Sequence, residues 1–174
     1  LHTHDTTGNQ VAALLMAAEA GVDVVDVACA PLAGLTSQPS LDAVVAALHG
    51  TERDTGLDLR RVQELSNYWA DVRLRYENFD HGLKTNTTDI YRYEIPGGQY
   101  TNLRPQVESL GLGDRFEEVK EMYKTVNDML GDPVKVTPSS KVVGDLAIFM
   151  VQNDLTPENI VRRGEAPVSY THLT

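Results

Sequence analysis

The stretch VDVVDVA, residues 22 to 28, constrains most strongly what this chain can fold into. Four valines in seven residues suit a strand buried on both faces of a parallel sheet. The preceding segment from Gly8 to Ala20, GNQVAALLMAAEA, has helix-forming residues nearly throughout, and Gly21 stands where a helix would stop. Before it, LHTHD is short and tolerates an extended backbone. Strand, helix and strand in such quick succession predict a βαβ unit. The Gly/Pro/Ser/Thr stretch from Ala30 to Ser40 then forms a loop at the end of the strand, where α/β folds place their chemistry.

After residue 40 helices dominate. Ser40 is placed to cap a helix over LDAVVAALHG, and Asp58 to Phe79 reads as one long amphipathic helix with Val62, Leu65, Trp69, Val72 and Tyr76 on one face. Lys84 to Ile95 is polar and irregular, with room for a short strand, and PGGQY at 96 to 100 reads as a turn. Helices are predicted over Asn102 to Leu110, Asp114 to Leu130 and Ser140 to Gln152, separated by KVTPSSK at 135 to 141. The tail from Gly164 is short of charge and of either periodicity and reads as an artefact of assembly or expression.

Charge excludes several function classes. With 15 Lys+Arg against 25 Asp+Glu, the 174-residue chain carries a formal charge of -10 and has no Lys/Arg cluster to neutralise phosphate, so neither nucleic acid nor an anionic membrane is an expected partner. Its longest apolar run, Val11 to Ala18, is far short of the ~20 residues of a membrane span. A single cysteine, Cys29, excludes an internal disulfide and reads as a small core residue in a reducing, cytoplasmic setting. Leu1 in place of an initiator methionine suggests a piece of something longer.

Two groups of residues could carry chemistry, although His-x-His alone is a weak signal and reads equally as two partly exposed histidines. His2 and His4 are two apart, which in an extended segment puts both imidazoles on one face, within reach of one metal ion at about 2.0 to 2.1 Å per nitrogen. Two ligands do not complete a site, and no HExxH or paired-Cys motif supplies the others. Asp5 after them serves equally as a helix cap. Thr137, Ser139, Ser140 and Lys141 form the second group. Pro138 biases Thr137 away from helix, and Ser139 or Ser140 could simply cap the helix that follows. Gln99 could be only a turn residue, and Trp69 and the tyrosines of the long helices are core by default.

In order, LHTHDTTG, GVDVVDVA, GLTSQPS, EIPGGQYTNL and KVTPSSKVVGDLA resemble the carboxyltransferase domain of the pyruvate carboxylases, most like the bacterial forms. His-x-His-Asp alone is similar to the wider superfamily of claisen-type lyases and synthases. PGGQYTNL with VTPSSK resembles only the biotin-dependent carboxylases and decarboxylases. The resemblance implies an α/β fold: the later part of a TIM-type (β/α)8 barrel, over residues 1–50, followed by an α-helical funnel over 51–163. A whole barrel takes ~250 residues, so the barrel here would be an incomplete fragment.

The reaction implied is carboxyl transfer from carboxybiotin to pyruvate, giving oxaloacetate for gluconeogenesis and anaplerosis. By resemblance Thr137 is the proton carrier, Ser140 and Lys141 line the biotin pocket with a contribution from Gln99, and His2 and His4 hold a divalent ion, Zn or Mn. Biotin would sit on a carrier domain outside this sequence, and ATP and bicarbonate would be used by another domain of a parent enzyme that is a homo-oligomer, a tetramer by resemblance. The missing strands imply that this piece alone is inactive. Two other readings stay open: the alpha subunit of a biotin-dependent oxaloacetate decarboxylase or transcarboxylase, and an inert fragment with only a packing role.

Overall fold

The computed structural model of the chain describes residues 1–80 and 83–163; the atypical tail lies outside them. Two compact units result, Leu1–Thr88 and Asp89–Thr174. No helix among the described residues is long and apolar enough to cross a membrane.

In the first unit the backbone of residues 1–5 runs beside the valine-rich segment. The Leu1 amino group donates to Val24 O at 2.6 Å and Asp26 N donates to Leu1 O at 3.0 Å. On the other side Ala28 and Ser40 form an isolated parallel bridge, with Ala28 N donating to Pro39 O at 3.0 Å and Leu41 N to Ala28 O at 2.8 Å. The order of segments is that of the expected βαβ unit, but no regular strand forms among the described residues. Each neighbour offers residues 22 to 28 only one or two hydrogen bonds, too few for a continuous ladder. Nor is the segment buried on both faces, for Val24 is 69% exposed and Val22, Val25 and Val27 are only partly covered.

Helix α1, Gln10–Glu19, ends where its sequence says it should. Val22 N bonds Ala17 O at 3.0 Å and Gly21 N bonds Ala18 O at 3.1 Å, with Gly21 at φ +100°, a conformation glycine takes without steric penalty. Helix α2, Leu41–Leu48, starts at Ser40, whose Oγ accepts from Ala43 N at 3.4 Å. Helix α3, Leu59–Leu74, is capped by Asp58, which accepts from Arg60 N and Arg61 N. Ser66 on α3 donates to the Asp42 carboxylate of α2 at 2.8 Å and so joins the two helices. The long helix stops at Leu74, and a 3₁₀ turn, Glu77–Phe79, follows. Of its expected apolar face Val62 is buried, but Leu65 and Tyr76 are exposed.

The second unit is all helical: α4 Asp89–Tyr93, α5 Gly97–Ser109, α6 Phe116–Met129, α7 Ser139–Gln152 and α8 Pro157–Arg163. Three expectations are corrected. The region read as irregular or strand-like contains the short helix α4. PGGQY opens α5 instead of turning the chain, because Pro96 sits at the cap with φ −59°, and the first turn of a helix has no intrahelical use for its N–H groups. Helix α8 was not anticipated, although Thr156 accepting from Asn159 N and Pro157 at the first helical position are its start signals. Leu103, Val107, Val119, Tyr123, Val126, Val143, Ala147 and Met150 form the core, with α6 against α7 the largest packing surface. Lys120 is buried there, paired with Asp89 at 2.6 Å and Glu117 at 2.9 Å. Burial works against its charge, but the hydrogen bonds it donates to both carboxylates outweigh that and raise its pKa.

Candidate functional site

His2 and His4 lie together, their ring centroids 5.2 Å apart and edge to face. Each has a fixed partner at Nδ1. His4 Nδ1 is 2.5 Å from the Thr36 carbonyl oxygen. That oxygen only accepts, so Nδ1 carries the proton and Nε2 keeps its lone pair. His2 Nδ1 is 2.8 Å from Asp26 Oδ2. A carbonyl and a carboxylate behind two imidazoles are the supports that metal-binding histidines use to fix tautomer and raise ligand basicity. The pair therefore fits a divalent ion as two of its ligands. Among the described residues no group of three or more His, Cys, Asp or Glu could complete the set.

Asp5, next in sequence, is buried and acts as a brace. Its Oδ1 accepts from Gln10 N at 3.0 Å at the start of α1, its N–H donates to Ser37 O at 2.8 Å, and its carbonyl accepts from Asn86 Nδ2 at 3.1 Å. Cys29 is half-buried.

In the second unit Thr137 is exposed on the loop entering α7, and its peptide bond to Pro138 is cis. The expected serine cap does not form. Pro138 occupies the cap position, and the Ser139 hydroxyl lies against the Val134 and Val136 carbonyl oxygens, 2.5 and 2.7 Å away. It thereby ties the loop to itself instead of to the helix. Ser140 is buried, and its carbonyl accepts from Tyr123 Oη at 3.3 Å. Burial pushes the Tyr123 phenol up to about 12, so it remains a donor.

Gln99 is no turn residue: it is buried on α5. Its Nε2 would stand 2.5 Å from any Cβ at Gly144, so α7 meets it with bare backbone. Ser140 and Gly144 are one helical turn apart on the same face, which sets Gln99 beside the face that carries Ser140. Lys141, next along α7, lies 3.8 Å from Asp145. The default core reading of the long-helix aromatics holds for Tyr123, while Trp69 is half-buried and Tyr68 and Tyr76 are exposed. Sequence reasoning missed Asp26 and Thr36 behind the histidines and Tyr123 beneath the loop.

Residues 90–171 match a family described as a conserved carboxylase domain, and residues 1–68 one described as HMGL-like. A pyruvate carboxylase of Bacillus subtilis is 54% identical over 166 residues, 95% of this chain. The chain belongs to the pyruvate carboxylase family. The mitochondrial pyruvate carboxylase of Homo sapiens is 55% identical over 158 residues, 90% of this chain. The chain spans only 14% of the Bacillus protein and 13% of the human one. Among solved structures, the carboxyl transferase domain from Rhizobium etli pyruvate carboxylase with pyruvate superimposes at a TM-score of 0.92 with 49% identity, covering 98% of this chain and 28% of that one. The same domain with pyruvate and biocytin gives 0.89 with 52% identity, covering 92% and 27%.

Proposed function

We propose that this chain is the later part of the carboxyltransferase domain of a biotin-dependent pyruvate carboxylase, which moves a carboxyl group from carboxylated biotin to the methyl carbon of pyruvate. The observation that carries this reading is the superposition on a carboxyl transferase domain solved with pyruvate, TM-score 0.92. The full enzyme would add a biotin carrier domain and a domain that consumes ATP and bicarbonate, and would act as a homo-oligomer.

A pyruvate methyl is a very weak carbon acid, so the domain needs a proton acceptor in place and fixed positive charge near the developing enolate. When bound, a divalent ion such as Zn or Mn supplies that charge, and biotin supplies the transferable carboxyl group. His2 and His4 would hold the ion through Nε2, since their Nδ1 atoms are committed to Asp26 and Thr36. Thr137 Oγ1 would take the methyl proton and pass its own to the ureido group of biotin, a relay open to it because a hydroxyl is donor and acceptor at once. Ser140 and Gln99, on neighbouring faces of α7 and α5, would line the biotin pocket, with Lys141 at its rim.

The test is Thr137→Ala in the full-length enzyme. Oxaloacetate formation should fall about 10²- to 10⁴-fold, the usual cost of a lost acid/base group, while bicarbonate-dependent ATP cleavage persists. Activity within about threefold of the parent would remove Thr137 from the reaction.

A further inference from the structure

Four side chains outside the proposed chemistry converge beneath the Thr137 loop. Lys135 Nζ lies 2.9 Å from Glu94 Oε2 and 2.6 Å from Asp132 Oδ1. Asn127 Nδ2 donates to the same Asp132 oxygen at 2.8 Å and to Glu94 Oε2 at 3.4 Å. Asn127 is 1% exposed, at the end of α6, so the cluster has a buried floor. The ammonium and the carboxylate reinforce each other. Hydrogen bonds to Asp132 and then Glu94 raise the pKa of Lys135, and those from Lys135 and then Asn127 lower that of Asp132.

The backbone at both carboxylates is unusual. Glu94 has φ +60° and Asp132 φ +52°, a left-handed conformation that costs energy for a residue with a side chain. Glu94 ends α4, where glycine is the common occupant of such a position. A glutamate there keeps a carboxylate at the expense of backbone ease. An ordinary surface ion pair is worth little and gives no reason for that exchange. Held between them, Lys135 is two residues before Thr137. Ser139 ties the far side of the loop to Val134 and Val136, and Tyr123 holds Ser140. The loop is thus fixed on both sides of Thr137, and Lys135 is its link to the junction of α4 and α5.

We propose that Lys135, gripped by Glu94 and Asp132 over Asn127, is a positioning residue that sets where the Thr137 hydroxyl stands. This rests on the reading of Thr137 as the proton relay. A displacement of about 1 Å at a reacting group costs up to ~10²-fold in rate, so removing the link should lower turnover without abolishing substrate binding.

The experiment compares Lys135→Met, Lys135→Arg, Glu94→Gln, Thr137→Ala and the Lys135→Met/Thr137→Ala double variant in the full-length enzyme, reading kcat and KM for pyruvate. Lys135→Met and Glu94→Gln should each lower kcat, up to ~10²-fold, with KM for pyruvate within about twofold. Lys135→Arg, which retains the charge and its donors, should recover most of the loss. On the Thr137→Ala background, Lys135→Met should cost nothing further, because its effect acts through the hydroxyl already removed. A purely structural role would subtract activity on either background, and that result overturns the proposal. So does a kcat within about threefold for both Lys135→Met and Glu94→Gln while Thr137→Ala remains crippled, which leaves the relay reading intact. If Thr137→Ala is itself silent, the relay reading fails and the positioning role falls with it. Should Lys135→Met not accumulate as folded protein, the isosteric Glu94→Gln decides alone.

Discussion

Leu1–Thr88 and Asp89–Thr174 are of nearly equal length, yet they bury apolar residues very unequally. Among the described residues the first has Leu14, Ala18, Val44, Val45 and Val62 as its buried aliphatics, whereas α5, α6 and α7 of the second bury a longer set from Leu103 to Val151. The difference follows from the elements. An amphipathic helix hides its stripe against the next helix in sequence, so a helical unit closes on itself with local material. A valine-rich extended segment needs cover on two faces and partners on two edges, and Leu1 and Pro39–Leu41 give it only a few hydrogen bonds. The proposed metal ligands therefore sit in the unit that buries fewer apolar residues, while the proposed relay sits in the one that buries more.

The largest test of this contrast is a pair of truncations. Leu103→Ala, at a site with no exposed surface, should lower stability by about 2–5 kcal/mol in urea unfolding. Met16→Ala on α1, where the side chain is 70% exposed, should change it by no more than about 0.5 kcal/mol. Equal losses at the two sites would break the comparison.

Next in size is the support behind the histidines. Asp26→Ala removes the carboxylate from His2 Nδ1, and metal affinity of the full-length enzyme should fall about 10- to 100-fold in a chelator competition titration. Unchanged affinity would mean that the His2–Asp26 contact is only a surface pair.

Titration should separate the units further. Asp54 and Asp80 in the first and Asp132 in the second have lowered pKa values: Asp54 chiefly from the N–H groups of Gly50 and Gly56, Asp80 from Arg73, Asp132 from Lys135. Stability from a depressed carboxylate is present above its unfolded value of about 4 and is lost as pH falls through the folded one, so both units weaken in acid. Raised lysine and tyrosine values occur only in the second unit, at Lys120, Lys135, Tyr100 and Tyr123, among the described residues. Their contribution is complete below the unfolded values near 10 and disappears as pH rises through the folded ones. Alkali should therefore reduce helical circular dichroism before it shifts the emission maximum of Trp69, the one tryptophan, which lies in the first unit. The reverse order would count against the assignment.

The smallest effect is at a helix start. Ser40→Ala should cost about 1 kcal/mol or less, the 3.4 Å bond to Ala43 N being long. A loss comparable with Leu103→Ala would show the first unit to be far less tolerant than its few buried apolar residues suggest.

What could be read from the sequence was what is local. Ser40 and Asp58 mark the starts of α2 and α3, and Phe116, Val119, Tyr123 and Val126 trace the buried side of α6. The spacing of Leu65 and Tyr76 gave the helix expected over Asp58 to Phe79 an apolar face but could not say what covers it, and both are exposed. Pro96 and two glycines carry the same letters in a turn as in the first turn of a helix. The imidazole supports were hidden for a plainer reason: Asp26 is 24 residues from His2, and the Thr36 group that holds His4 is a backbone carbonyl, which no side-chain pattern reveals.

The hydrogen bond from Asn86 to Asp5, with Thr87 N donating to Thr6 O at 2.9 Å, has a consequence for the order of assembly. The turn that follows His4 is tied to a segment 81 residues downstream. On an emerging chain those first residues must wait until nearly the whole first unit has been made. Closing so long a loop is entropically less severe than it looks, since each doubling of length adds only about 0.6 kcal/mol. Its cost is in time: distant contacts form late. Gly8, at φ +78° with Asn86 Cγ 2.8 Å from where a Cβ would be, leaves the opening into which that late-arriving side chain fits. A chain cut short before Asn86 would thus still be able to form α1 and α2, but its histidine turn would have nothing to latch it.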